Sequence, residues 1–312
     1  MSEQLFLWPD EQSGDRLSWS LSKDKRLRDC LRKYYLQHYV SRGGSQPTAS
    51  PMARETFVLK SLRNRHMWVG EVVHEMIELA LIAMRRGDGA PVEALVERGT
   101  RRMRAQYAES VQRLYRERPA TACGLCEHEY QEAIPREEWK RQRDRMEQCL
   151  RNLFAMPLLA EVQNTPVWRW LALESLASFE LDHATVLVKP DFAWRDAADR
   201  VVMVDWKTGK PRPEDEKLQI AVYGLFAQRA WGLKSEQMLG KVAYLETGEL
   251  HEFVVDRQAL NEAEAVIRAS LKQMRALHAD GMEPKYRWQS FPMTDSRATC
   301  GFCMFRRLCE RS

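Results

Sequence analysis

The sequence predicts an α/β protein, with a single α/β core over residues 165–280 and a helical region from the first half packed on it. Three observations predict this. Apolar residues in the first half recur at helical spacing. Residues 171–195 and 200–208 are rich in Val, Leu, Phe and Trp and read as strands. After them come a helix, a hairpin and a further helix, with no internal repeat and no low-complexity linker. A chain of 312 residues that is 44% hydrophobic can bury one large core or two modest ones.

Taken in order, residues 21–40 mix Leu27, Leu31, Tyr34 and Tyr35 with basic residues on a helical pattern. Residues 54–85 carry Val69, Val72, Val73, Met76, Leu79, Ala80, Ile82 and Ala83, the spacing of an amphipathic helix that stops at Arg86-Gly87-Asp88-Gly89. Further helices are expected at 91–117 and 136–156, with a breaker-rich loop from Pro119 to Ile134 between them. In the second half, a helix over 213–231 starts with Pro213 and acids at 214–216, which suit a helix N-terminus. Residues 241–247 and 250–256 flank Thr247-Gly248-Glu249 as a hairpin, and a last helix spans 257–279.

The net charge of +4 permits a nucleic-acid partner without demanding one. Basic residues gather at 23–33 and at 101–118, where six arginines face Glu109 and Glu117. Such helices suit phosphate contacts, although for either alone a solvated face is the simpler reading. The opening MSEQLFLWPDEQ is poor in apolar residues and carries acids, so no secretory leader is expected. No apolar run approaches a membrane span. The expectation is a cytoplasmic protein whose seven cysteines stay reduced and serve metal binding or burial.

The stretch Lys189-Pro190-Asp191-Phe192-Ala193-Trp194 precedes Val201-Val202-Met203-Val204-Asp205-Trp206-Lys207-Thr208-Gly209. Strand alternation sends Asp205 and Lys207 to one face and Val204 and Trp206 into the core. Asp191, fourteen residues earlier, comes beside Asp205 if the two strands pair. Two carboxylates and a lysine can build a phosphodiesterase site. Hard oxygen ligands hold Mg²⁺ or Mn²⁺, and the lysine orients water or stabilises charge on the phosphate. A bare DxK, however, arises often by chance on strands that end in surface acids.

The surrounding pattern resembles the RecB-like branch of the PD-(D/E)XK nuclease superfamily. Pro190-Asp191 and Asp205-Trp206-Lys207-Thr208-Gly209 match its two half-motifs. Gln219 and Tyr223 match a Gln-x-x-x-Tyr helix motif, and Gly70 and His74 a Gly-x-x-x-His motif. The resemblance implies a restriction-endonuclease-like fold, a mixed central sheet flanked by helices. It also implies metal ligation by His74, Asp191, Asp205 and the carbonyl of Trp206. Lys207 is then the catalytic lysine, and Gln219 and Tyr223 orient it or contact DNA. Glu174 sits where relatives often carry an acid. Residues 1–164, with Cys30 and His74, form the helical region, and 165–312 the nuclease core, as one integrated unit.

Cys300-Gly301-Phe302-Cys303 and Cys309 form a C-x2-C-x5-C cluster that needs a fourth ligand, for which Cys30 is a candidate. One cysteine before the domain and three after it resemble the iron–sulfur staple of AddB-type helicase-nucleases and CRISPR-adaptation nucleases, implying a 4Fe-4S cluster. Leu31 stands where those relatives usually have proline. Zinc on the same four cysteines is also compatible with the spacing. Cys123 and Cys126 could join His128 and Cys149 in a separate zinc site, but plain loop cysteines, with Cys149 a buried small hydrophobe, are the favoured reading.

The expected function is a metal-dependent DNA nuclease, with exonuclease action on single strands or free ends. The alternative is an inactive scaffold of the same fold, although all four positions His74, Asp191, Asp205 and Lys207 are intact. A redox protein is disfavoured because no flavin or nucleotide motif accompanies the cysteines. No Walker or helicase motif occurs, so a motor, or a CRISPR, repair or defence partner, is expected to be a separate chain.

Overall fold

Strand residues 201–207 are apolar on both faces, which requires cover on both sides. The computed structural model, which describes residues 17–278 and 288–309, supplies it. In chain order the elements are β1 (Ser18–Trp19), α1 (Leu21–Asp29), α2 (Leu31–Tyr35) running into a π-helical turn at Leu36–Val40, α3 (Pro51–Lys60), α4 (Arg65–Arg85) and α5 (Val92–Val111). Then come α6 (Cys126–Glu129), α7 (Arg136–Ala155), α8 (Pro157–Asn164), β2 (Trp170–Leu173), β3 (Ala177–Leu181), β4 (Ala184–Val188), β5 (Phe192–Arg195) and β6 (Val201–Lys207). The chain continues through α9 (Pro213–Trp231), β7 (Met238–Tyr244), β8 (Glu249–Val254), α10 (Arg257–His278) and α11 (Arg297–Gly301).

The main sheet is mixed, in the order β2-β5-β6-β7-β8, with β6 and β7 parallel and the other pairs antiparallel. The parallel pair needs a crossover, and α9 provides it. One face of β6 (Val201, Met203) packs with α9 and α10 through Ile220, Val222, Ile267 and Leu271. The other face (Val202, Val204, Trp206) packs with α4, α7 and α8 through Val69, Val73, Met76, Leu150 and Leu158. Helices on both sides of a mixed sheet are the α/β nuclease architecture expected from the sequence. Among the described residues, no helix is long and apolar enough to cross a membrane.

Several boundaries differ from expectation. Residues 54–85 are two helices, because Asn64 caps α4 by accepting from the backbone N–H groups of His66 and Met67. The break is also held from outside: Arg63 N–H donates to Gly124 O, and Cys126 N–H to Arg63 O. The loop 119–134 contains α6, and α8 follows directly on α7 with Pro157 at its start. The 171–195 stretch is four strands, not a continuous run. Two of them leave the main sheet to form a second one, β1-β4-β3, in which β1 runs parallel to β4. Asp182 and His183 turn that hairpin with φ of 48° and 58°. The opening segment read for a leader, and residue 279 of the last helix, lie outside the described residues.

The basic segments are largely used internally. Lys23 and Arg32 are buried, Lys25 pairs with Asp215, and Arg28 with Asp24. In the second segment Arg101 pairs with Glu97, Arg102 with Glu75, and Arg116 with Glu55 and Glu129.

Candidate active site

The antiparallel β5–β6 register aligns Phe192 with Val204, so Asp191, one residue before β5, comes level with Asp205. Both carboxylates are buried, at 8% and 2% exposure. Asp191 Oδ2 accepts the Trp206 backbone N–H at 2.7 Å, which anchors the first acid to the strand carrying the second. Lys207 shares the strand face of Asp205, and its Nζ lies 2.6 Å from Asp205 Oδ2. The Lys207 ammonium thus meets that buried oxygen directly.

Helix α9 closes this face. Gln219 and Tyr223 lie one turn apart, on the side turned toward β6. Lys207 Nζ donates to Gln219 Oε1 at 2.8 Å, and Gln219 Nε2 donates to Asp205 Oδ1 at 2.5 Å and to Tyr223 Oη at 2.7 Å. The Tyr223 hydroxyl donates in turn to Lys189 O at 3.0 Å. A single amide therefore fixes the lysine and one acid together.

From the opposite side α4 delivers His74. Its Nε2 lies 3.0 Å from Trp206 O, while Nδ1 lies 3.3 Å from Glu174 Oε1 and 3.6 Å from Asp191 Oδ1. Gly70 precedes His74 by one turn, and a Cβ there would meet Thr208 Oγ1 at 3.1 Å, so the bare backbone lets α4 lie close to the end of β6. Glu174 completes the group. It has a left-handed φ of 47°, donates its N–H to Asp191 O at 2.9 Å and pairs with Lys189 at 2.7 Å. Such a backbone for a non-glycine residue is costly and persists where its surroundings enforce it. Ligand atoms of His74, Glu174 and Asp191 lie within 4.8 Å of one another, the one such His/Cys/Asp/Glu group among the described residues.

Three carboxylates, Glu174, Asp191 and Asp205, stand here against Lys189, Lys207 and His74. Burial alone lowers the His74 pKa, but Asp191, Glu174 and Asp205 outweigh it and raise the value to about 9. Burial raises Asp191 to about 7, assisted by the charges of Asp205 and Glu174 and opposed by His74. Burial opposes the charge on Lys207 too, yet the neighbouring Asp205 raises its pKa. Burial and the same two aspartates push the Tyr223 phenol well up, so it remains protonated. The proton on His74 occupies ground that a divalent cation could take.

His74, Asp191, Asp205, Trp206, Lys207, Gln219 and Tyr223 are thus joined by one chain of contacts, although Asp205, held by Lys207 and Gln219, stands outside the tight His74–Glu174–Asp191 group. Glu174 is more intimately placed than the sequence suggested. The profile of the PD-(D/E)XK nuclease superfamily matches residues 18–310. The chain belongs to the PD-(D/E)XK nuclease superfamily. Members of that superfamily are usually divalent-metal-dependent nucleases. No curated protein matches the chain. In this PD-(D/E)XK chain the match spans both the α4 histidine and the cysteine-bearing segments.

Cys30 sits in an extended break between α1 and α2 (φ −169°), and Cys300, Cys303 and Cys309 lie in and after α11. All four, with Lys33, line one pocket. They form no tight group, and no three of them bring ligand atoms within 4.8 Å of one another. Phe305 N–H points at Cys303 Sγ at 3.4 Å. The segment has other anchors. Arg307 and Arg116 pair with the buried Glu129, and Tyr130 donates its hydroxyl to Met304 O at 2.5 Å. Arg32, buried, donates to Phe291 O at 2.7 Å and Trp288 O at 3.0 Å.

Cys123, Cys126 and Cys149 are not a second metal centre among the described residues. Cys123 and Cys149 belong to the apolar cluster beneath α4, Cys126 to another, and His128 faces Ser110 Oγ at 2.8 Å. Burial pushes all three thiols up to about 12, so they are inert.

Proposed function

We propose that the protein is a RecB-like, metal-dependent nuclease that hydrolyses phosphodiester bonds in DNA, acting as an exonuclease. The observation that carries this reading is the meeting of Asp191, Asp205 and Lys207 from the β5–β6 pair with His74 from α4. His74, Asp191, Asp205 and the Trp206 carbonyl are the proposed holders of Mg²⁺ or Mn²⁺, with Glu174 adjoining them. The set fits such an ion: hard oxygens beside one imidazole suit Mn²⁺ as well as Mg²⁺, and ligand atoms of His74, Glu174 and Asp191 already converge within 4.8 Å of one another.

Bound there, the ion lowers the pKa of its water and offsets charge on the phosphate. Lys207 stays cationic beside Asp205 and faces the phosphate and water as an ammonium. Gln219 holds that ammonium through its carbonyl and Asp205 through its amide, so neither side chain must reorganise. Tyr223, anchored on Lys189 O, keeps the Gln219 amide in this orientation.

The second part of the proposal is a 4Fe-4S cluster on Cys30, Cys300, Cys303 and Cys309. Their shared pocket supports it. Residues 1–164 and 165–312 act as one unit in this reading, because one apolar cluster joins α4 and α7 to β5 and β6.

The test is cleavage of linear and covalently closed DNA with Mn²⁺, Mg²⁺ or chelator, using anaerobically prepared protein analysed for iron and acid-labile sulfide. Metal-dependent loss of linear DNA alone is expected. Metal binding without any cleavage would favour the inactive scaffold, and zinc without sulfide would remove the cluster.

A further inference from the structure

We infer that Arg145 of α7 is the positioning residue that sets the gap between α4 and β6, and through it the spacing of His74 from the Trp206 carbonyl and Asp205; this rests on the metal site proposed above. The guanidinium reaches three elements at once. It donates to Thr208 O, the carbonyl next after Lys207, and its Nε donates to Glu246 Oε2 at 2.9 Å, in the turn between β7 and β8. Nη1 lies 3.4 Å from Nδ1 of His66, two turns before His74 on the same helix. Its side chain is only 17% exposed, unlike an ordinary surface ion pair.

The neighbouring contacts converge on the same strand ends. Leu245 N–H donates to Lys207 O at 2.8 Å, and Asn152, two turns after Arg145, donates to Leu245 O at 2.8 Å and Glu246 O at 3.1 Å. Gly70 lies against Thr208 at the foot of this arrangement. The apolar cluster of Val69, Val73 and Trp206 also holds α4 over β6. Apolar packing, however, is non-directional and tolerates sliding, whereas a planar guanidinium fixes the distances among its acceptors. Because His74 and Trp206 come from different elements, a shift of the helix alters the cation's surroundings before it unfolds anything.

The experiment titrates Mn²⁺ calorimetrically into wild type, Arg145→Met, Arg145→Lys and Glu246→Gln, well below each melting temperature, and records the electron paramagnetic resonance of bound Mn²⁺. Loss of a group that orients ligands from outside weakens metal binding about 10–100-fold. Arg145→Met should do so and broaden the Mn²⁺ spectrum. Arg145→Lys should recover part of the affinity, and Glu246→Gln, which leaves the Thr208 and His66 contacts intact, should stay within about threefold of wild type. If Arg145→Met does not fold, the Arg145→Lys spectrum decides: an unchanged one overturns the inference. A lowered melting temperature with unchanged affinity and spectrum makes Arg145 merely structural and also overturns it. A wild type that binds no Mn²⁺ overturns the metal-site reading itself, a distinguishable outcome.

Discussion

The imidazole Nε2 of His74 lies 3.0 Å from the carbonyl oxygen of Trp206, across 132 residues of sequence. In the metal-free protein a proton on His74 bridges them. Metal and proton therefore compete for the same atoms.

From that competition a pH dependence follows. With His74 raised to about 9 and Asp191 to about 7, both must shed protons to ligate. Metal binding releases those protons, so affinity rises with pH. Between pH 7 and 9 we expect the Mn²⁺ dissociation constant to fall by up to about tenfold per unit as His74 alone exchanges its proton. Below pH 7 the dependence steepens as Asp191 joins. Calorimetry in buffers of different ionisation enthalpy measures the proton count, and a flat profile would contradict the ligand assignment.

Acid and lysine should separate cleanly. Asp205→Asn removes a hard ligand and should weaken Mn²⁺ binding and cleavage together. Lys207→Ala leaves the oxygens in place and should spare metal binding while slowing cleavage about 10²–10³-fold. Asp205→Asn cutting at the wild-type rate would show that the active site lies elsewhere.

Gly70 offers a steric test. A side chain there needs the Thr208 hydroxyl to give way, so the branched Gly70→Val should destabilise the protein by about 1–3 kcal/mol, while in Gly70→Ala the gain in helix propensity, about 1 kcal/mol, offsets the crowding. Chemical denaturation measures the difference. Unchanged stability in Gly70→Val would mean that α4 and β6 separate freely.

The cysteine pocket closes a loop of 273 residues between Cys30 and Cys303, from their positions in the chain. Cross-linking so long a loop would stabilise a structureless chain by about 5 kcal/mol. Arg32, Tyr130 and Glu129 keep the 288–307 region in place in the folded state, so Cys303→Ala should act through the unfolded chain and cost about 2–5 kcal/mol, with loss of iron. Retained iron and an unshifted melting curve would argue against a cluster that joins the two ends.

Much of the site was legible because its parts are local. Alternation along β6 assigned faces to Asp205 and Lys207, and four-residue spacing put Gln219 beside Tyr223. The sequence misled on exposure, since both faces of β6 are covered and Asp205 is buried with the valines. What it hid has tertiary causes. The break between α3 and α4 is reinforced by Arg63 pairing with the 124–126 segment, although the Asn64 cap was a local signal for it. The two residues of β1 pair with a strand some 165 residues later, beyond any local pattern. The left-handed backbone of Glu174, which turns its carboxylate to His74, leaves no trace in residue type. Pro157, by contrast, was a usable start signal for α8 that the pattern reading passed over.

The two apolar clusters on either side of β6 have a temporal consequence. His74 reaches its place only when α4 docks on a sheet whose reactive strand emerges from synthesis 127–133 residues later. Bringing such distant segments together carries an entropic cost that local helices do not face. A chain interrupted before Val201 holds the histidine and Asp191 but neither Asp205 nor Lys207. Half-made molecules are thereby silent: competence arrives abruptly, with the closing of the fold.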